Sequence, residues 1–254
     1  MGDNEIIKLT NNTEDSSINS KEDLNSSKVI IHKDIALQKI NTLLTNYINN
    51  PNKIDKADKL SYWLEDYCNY LDFEDKFDPK RLKSYKRGDV IKANLGYNIG
   101  NEEGGLHYCI VADKSNSMSS GIITVIPLTS DKGKPLHFSE VNLGNEIYIN
   151  FSEKYNNLNL KLATKINKIV EAKGAGIKLE QIDDAMLDLR LLTKIKDELA
   201  KMKKGSIAIV SQITTISKQR IYDPQRTGDI LSGLRISDES LDLINNKLKQ
   251  LYVK

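Results

Sequence analysis

Residues 87–130, RGDVIKANLGYNIGNEEGGLHYCIVADKSNSMSSGIITVIPLTS, decide how this chain folds. Asp89 to Leu95 alternates apolar and polar residues, the period of a half-buried strand. An acidic loop follows Gly96, NIGNEEGG at 98–105, whose Gly100, Gly104 and Gly105 let the backbone turn sharply at little steric cost. Tyr108 to Val111 and Ile122 to Leu128 are compact apolar runs, and the second stops at the polar pair Thr129 and Ser130. Short apolar strands with polar groups at their ends predict a small antiparallel barrel with a site at its rim.

Outward from this stretch, composition sets bounds. The 254 residues leave room for a small domain with additions. Lys and Arg number 37 against 35 Asp and Glu, a formal charge of +2, so bulk electrostatics do not announce a nucleic-acid binder. The 87–150 segment is itself slightly acidic. Lys201, Lys203, Lys204, Lys218 and Arg220 form the best local basic run, which is either a binding patch or a solvated face. Cys68 and Cys109 make neither a disulfide framework nor a metal-ligand spacing, and Cys109 reads as a buried reduced thiol. No apolar run approaches the roughly 20 residues of a membrane span, and the start of the chain lacks a signal-peptide core. A soluble cytoplasmic protein without a membrane partner is expected.

Residues 1–30 are too polar to offset the entropy of ordering and read as a disordered tail. Between 31 and 80 two amphipathic helices form a hairpin, with Leu37, Ile40, Leu44 and Tyr47 on one and Ala57, Leu60, Trp63, Leu64, Tyr67 and Leu71 on the other. They cap the barrel or offer a partner or self-inhibitory surface. Phe77 to Tyr85 reads as a linker. After strands at Leu136–Leu143 and Glu146–Asn150, a helical hairpin is inserted at about 152–203, with its turn at Lys173-Gly174-Ala175-Gly176. It extends the site, covers it, or serves self-association. Ile207 to Ile216 returns as one strand. Ser237 caps a last helix whose first turn carries Asp238 and Glu239.

Four blocks in order, RGDVIKANLG at 87–96, GNEEGGLHYCIVAD at 100–113, TVIPLTS at 124–130 and GSIAIVSQITTISKQRI at 205–221, resemble the MazF/PemK (Kid) family of toxin endoribonucleases. The resemblance implies a small SH3-like antiparallel β-barrel at 87–254 that ends in a C-terminal helix, an α+β fold to which this chain adds the N-terminal helical hairpin at 31–80 and, where the family has a short loop, the helical-hairpin insertion at about 152–203. It further implies the toxin of a type II toxin–antitoxin system, cutting single-stranded RNA at a short sequence without the ribosome. Metal and cofactor are not implied. The ends expected are a 2′,3′-cyclic phosphate and a 5′-hydroxyl. The partners implied are RNA, a second copy in a homodimer, and an antitoxin that blocks the groove and with which the toxin binds DNA. The runner-up is a non-catalytic barrel that, like the CcdB toxins, acts on a protein target such as DNA gyrase. A degenerate barrel kept for interaction is the third reading.

Carried onto this sequence, the family's catalytic threonine is Thr129. The position of its catalytic arginine holds His107. Arginine holds phosphate but shuttles protons poorly, whereas an imidazole ordinarily exchanges them near neutrality. His107 is therefore the candidate acid or base, unless a backbone carbonyl merely satisfies it. Thr129, Ser130 and loop N–H groups are candidates for holding the oxyanion. For RNA binding the candidates are Tyr97 and Tyr108 by stacking, with Asn101, Glu102, Gly104 and Gly105 forming the loop. Gln212 either reads bases or bonds backbone. Arg220 either meets substrate or forms a structural pair, and Tyr108 is alternatively core. His137 is a second histidine with a structural reading, and Glu102 and Glu103 lack the companions of a metal site.

Overall fold

The computed structural model describes residues 11–172, 176, 178–202 and 205–253, with side chains from residue 25 onward. Two compact units divide at Leu64. In the first, helix α1 spans Asn11–Ile48. Composition assigned residues 1–30 to a tail; from Asn11 on they are helical, and residues 1–10 lie outside the described ones. Polar side chains need no core to follow a helical backbone, and from Lys28 to Lys39 this helix stays exposed. A 3₁₀ turn at Pro51–Lys53 follows, capped by Asn50, whose Oδ1 accepts from the Asn52 N–H at 3.0 Å. Helix α2 spans Ile54–Phe73, with Ala57 and Leu60 buried.

The second unit, from Glu65, mixes helices with a seven-stranded antiparallel sheet. Its strands are β1 (Val90–Asn94), β2 (Leu106–Val111), β3 (Ile122–Ser130), β4 (Glu140–Asn142), β5 (Ser206–Ile209), β6 (Thr214–Ser217) and β7 (Ile221–Asp223). The order is β4-β5-β3-β2-β1-β7, with β6 also on β3. The barrel expected from the resemblance is not closed. Its ends, β4 and β7, are three residues each, and neither pairs with a further strand among the described residues.

Both faces of β1–β3 are buried, which is why their sequences read as near-continuous apolar runs. On one face Ile91, Ala93, Cys109, Val111, Ile123 and Val125 form a core with Ile216, Ile221 and Tyr85. On the other, Val90, Ile110, Ile126 and Leu128 meet side chains from three helices, α3 (Glu146–Glu171), α4 (Leu179–Lys201) and α5 (Asp238–Tyr252). The expected linker is part of this unit: Tyr85 is buried and its hydroxyl donates to the Pro224 carbonyl at 2.7 Å.

Two sequence expectations are corrected here. Glu146–Asn150 is the first turn of α3 rather than a strand, because Ile147 and Phe151, four apart, both enter the core. The turn expected before α4 lies outside the described residues at Lys173, Gly174 and Ala175. Ile207–Ile216 is not one strand: a 3₁₀ turn at Val210–Gln212 separates β5 from β6. Both pair with the same edge of β3, β6 as far as Val125 and β5 from Leu128. Pro127, which has no N–H to give, sits opposite the break. The C-terminal helix is as read, with Ser237 Oγ accepting from the Ser240 N–H at 3.2 Å.

Candidate active site

The loop between β1 and β2 is shaped by its glycines. Gly105 has φ +82°, in the left-handed region, and a Cβ on Gly104 would come within 2.6 Å of the Gly96 carbonyl oxygen. The loop closes through the Gly105 N–H donating to Gly96 O at 2.6 Å and the Leu95 N–H to Gly105 O at 2.8 Å. Gln212, in the 3₁₀ turn, clamps the tip: its Oε1 accepts from the Glu103 N–H at 2.6 Å and its Nε2 donates to Asn101 O at 3.0 Å.

His107 follows the double glycine on β2. The β2–β3 pairing, Cys109 opposite Pro127, carried two residues further brings His107 opposite Thr129. There the ladder has ended and the strand ends line a cavity of about 250 Å³, bordered by His107, Thr129, Ser130, Tyr108, Lys201 and Met202 among others. His107 Nδ1 lies 3.2 Å from the Leu128 carbonyl, which makes Nδ1 the protonated nitrogen. Nε2 lies 3.5 Å from the Glu103 carboxylate, and the His107 side chain keeps 26% of its surface exposed. The hydroxyls of Thr129 and Ser130 make no side-chain hydrogen bond among the described residues.

A second cavity, about 640 Å³, is lined by Asn101, Glu102, Glu103, Pro127, Gln212 and Arg220, with others. Its polar groups are already engaged. Arg220 Nε donates to Asn94 O at 2.7 Å, and burial lowers its pKa. Asn94 Nδ2 donates to Asp66 on α2 at 2.8 Å, and Asn94 Oδ1 accepts from the Gly96 N–H at 3.0 Å. The Glu102 carboxylate accepts from the Ile99 N–H at 3.3 Å.

The candidate residues are thus sorted by side. His107, Thr129, Ser130 and Tyr108 meet in one cavity, and Asn101, Glu102, Gln212 and Arg220 in the other. Tyr97 is half-buried at the start of the loop and lines neither. The Tyr108 hydroxyl donates to Glu198 on α4, and Lys92 Nζ stands 5.2 Å from its ring; burial first, then the Glu198 bond, drive its pKa far up. Cys109 is fully buried, and burial pushes its thiol up to about 12, which leaves it inert beside the histidine. His137 bonds Ser139 Oγ at 2.8 Å and packs against Phe138, away from both cavities. Of the basic run, Lys218 is buried with Nζ donating to Ser117 O at 2.9 Å, while Lys203 and Lys204 lie outside the described residues. Among the described residues, no three His, Cys, Asp or Glu side chains converge as a metal site needs.

Glu198 was not legible as a site residue. It accepts from the Tyr108 hydroxyl and from Lys92 Nζ at 2.5 Å. Burial opposes its ionisation, but these two donors outweigh that and hold its carboxyl below the usual range. Only the fold brings α4 to β1 and β2.

One family model covers this arrangement. Residues 86–188 match the PemK-like, MazF-like toxin of type II toxin-antitoxin systems. The match runs from just before β1 into α4, so the matched segment takes in the double-glycine loop, His107, Thr129 and Ser130. Gln212, Arg220 and α5 lie beyond it. The toxins that this model describes belong to two-component systems, in which an antitoxin is the partner. No curated protein matches the chain in sequence. No helix among the described residues is long and apolar enough to cross a membrane.

Proposed function

We propose that the chain is a sequence-specific, metal-independent endoribonuclease acting on single-stranded RNA as the toxin of a toxin–antitoxin pair. The observation that carries this reading is the cavity that His107 lines together with Thr129 and Ser130, whose hydroxyls make no side-chain hydrogen bond among the described residues. Cleavage by the neighbouring 2′-hydroxyl needs a base on that hydroxyl and donors to the phosphoryl oxygens. With Nδ1–H held by the Leu128 carbonyl, Nε2 is the nitrogen that accepts the 2′-hydroxyl proton. Glu103, 3.5 Å away, then faces the imidazolium and favours it. The 2′-oxygen attacks phosphorus, the bond to the 5′-oxygen breaks, and water protonates the leaving oxygen. A 2′,3′-cyclic phosphate and a 5′-hydroxyl result. Thr129 and Ser130 donate to the phosphoryl oxygens as charge develops there.

The second cavity serves recognition in this scheme. Gln212 and Arg220 hold the loop that offers Asn101 and Glu102 to base edges, while Tyr97 at its foot has a face for stacking. The working form is a homodimer, and the antitoxin blocks the groove.

Incubating the purified chain with a long single-stranded RNA in excess chelator, then mapping the ends, tests this. Cuts at one short sequence, with 5′-hydroxyl and cyclic phosphate ends, are expected. Activity that disappears in chelator and returns with a divalent ion overturns the metal-independent scheme. An uncut RNA together with capture of a protein target such as DNA gyrase replaces the nuclease with a CcdB-like binder.

A further inference from the structure

In-line attack on a phosphodiester gathers negative charge on the phosphoryl oxygens, and such charge is usually met by a cation. The strand residues of the His107 cavity supply hydroxyls and an imidazole but no permanently charged side chain. The insertion does. Lys201, the last residue of α4, lines this cavity. It also lines an outer cleft of about 730 Å³, which shares Lys201 and Leu106 with the first. Lys201 therefore stands at the mouth, where a strand entering the site would pass.

Its helix end is held in place. Ile195 of α4 is fully buried. Glu198, one turn before Lys201, is tied to both Lys92 and the Tyr108 hydroxyl, so the last turn of α4 is fastened to β1 and β2. Lys201 itself is exposed and makes no hydrogen bond or ion pair among the described residues. A lysine in a last helical turn also complements the helix dipole, but that role neither needs the cavity nor touches a substrate.

We propose that Lys201 binds the scissile phosphate and that the helical insertion delivers this cation to a site otherwise built on strands. The proposal rests on the nuclease reading above. The test compares Lys201→Ala, Lys201→Arg and, as a control, Lys196→Ala, an exposed lysine of the same helix that lines neither cavity. Single-turnover cleavage, thermal melting, and binding of a non-cleavable 2′-deoxy oligonucleotide across salt concentrations are measured.

Lys201→Ala is expected to slow cleavage by about 10²-fold, the scale for losing one donor to a developing oxyanion, with melting unchanged. Its salt slope for binding should fall by about 0.7, one phosphate contact on a single strand. Lys201→Arg should recover most of the rate, and Lys196→Ala should match the wild type. Cleavage by Lys201→Ala at the wild-type rate overturns the proposal and leaves the nuclease reading standing. So does an equal loss in Lys196→Ala, or a loss that tracks lowered melting and is not rescued by arginine. A wild type that cuts no RNA removes the nuclease reading and this proposal together.

Discussion

The two cavities, one at His107 and one at Gln212, differ in what their polar groups are already doing. Around His107 the hydroxyls of Thr129 and Ser130 make no side-chain hydrogen bond among the described residues, the Lys201 ammonium forms no ion pair there and feels the Glu198 charge one turn back on its helix, and the imidazole Nε2 lies 3.5 Å from the Glu103 carboxylate. Around Gln212 and Arg220 nearly every group is bound to backbone: Gln212 to Asn101 and Glu103, Arg220 to Asn94. An unengaged polar group in a cavity is available to a substrate, whereas an engaged one acts through whatever it holds. The first cavity is therefore read as chemistry and the second as the support of a recognition loop.

The sharpest way to break that contrast is His107→Ala. If the imidazole is the base, turnover falls by about 10²–10⁴-fold while RNA affinity stays nearly intact. His107→Arg separates roles further: recovered cleavage means the position mainly stabilises charge. If His107→Ala cuts like the wild type while Thr129→Ala does not, proton transfer belongs elsewhere.

A smaller effect is expected from Gln212→Ala. It leaves the Glu103 N–H and the Asn101 carbonyl without their partner, a loss of about 1–3 kcal/mol where such groups stay unsatisfied. Hydrogen exchange in residues 98–105 should rise, and both affinity and cleavage should drop together, because the loop carries Glu103 as well as the recognition residues. A fall in turnover with unchanged loop exchange would move Gln212 to direct contact with the substrate and erase the contrast between the cavities.

What the sequence disclosed follows the same division between local and long-range causes. The apolar runs of β1–β3, the glycines at 104 and 105 and the Ser237 cap are set by neighbours a few residues away, and they can be read as pattern. The break between β5 and β6 cannot, because it answers to the bend and to Pro127 on another strand. The start of α3 was misread because Ile147 and Phe151 mark a helix only once a core lies beneath them. Lys218 counted as surface charge until the fold buried it. His107 and Thr129 were legible through the resemblance alone; their meeting depends on register. Glu198 and Lys201 belong to the insertion, and no spacing in the chain says which strand an inserted helix will reach.

The smallest effect should come from the region that lines neither cavity. Removing residues 1–64 takes away α1 and the first half of α2 but keeps Asp66, which accepts from Asn94 at 2.8 Å in the second unit. The shortened chain should cut RNA at the wild-type rate. Removing residues 1–80 goes further and takes Asp66 and Tyr70, leaving the Asn94 amide, which sits beneath the loop and beside Arg220, without its acceptor. That longer deletion should melt earlier and lose loop protection, with cleavage falling as it does for Gln212→Ala. Equal behaviour of the two truncations would mean that the support of the second cavity ends at Asn94. Loss of cleavage in the shorter one, with its melting unchanged, would give the first unit a share in the substrate or in the homodimer.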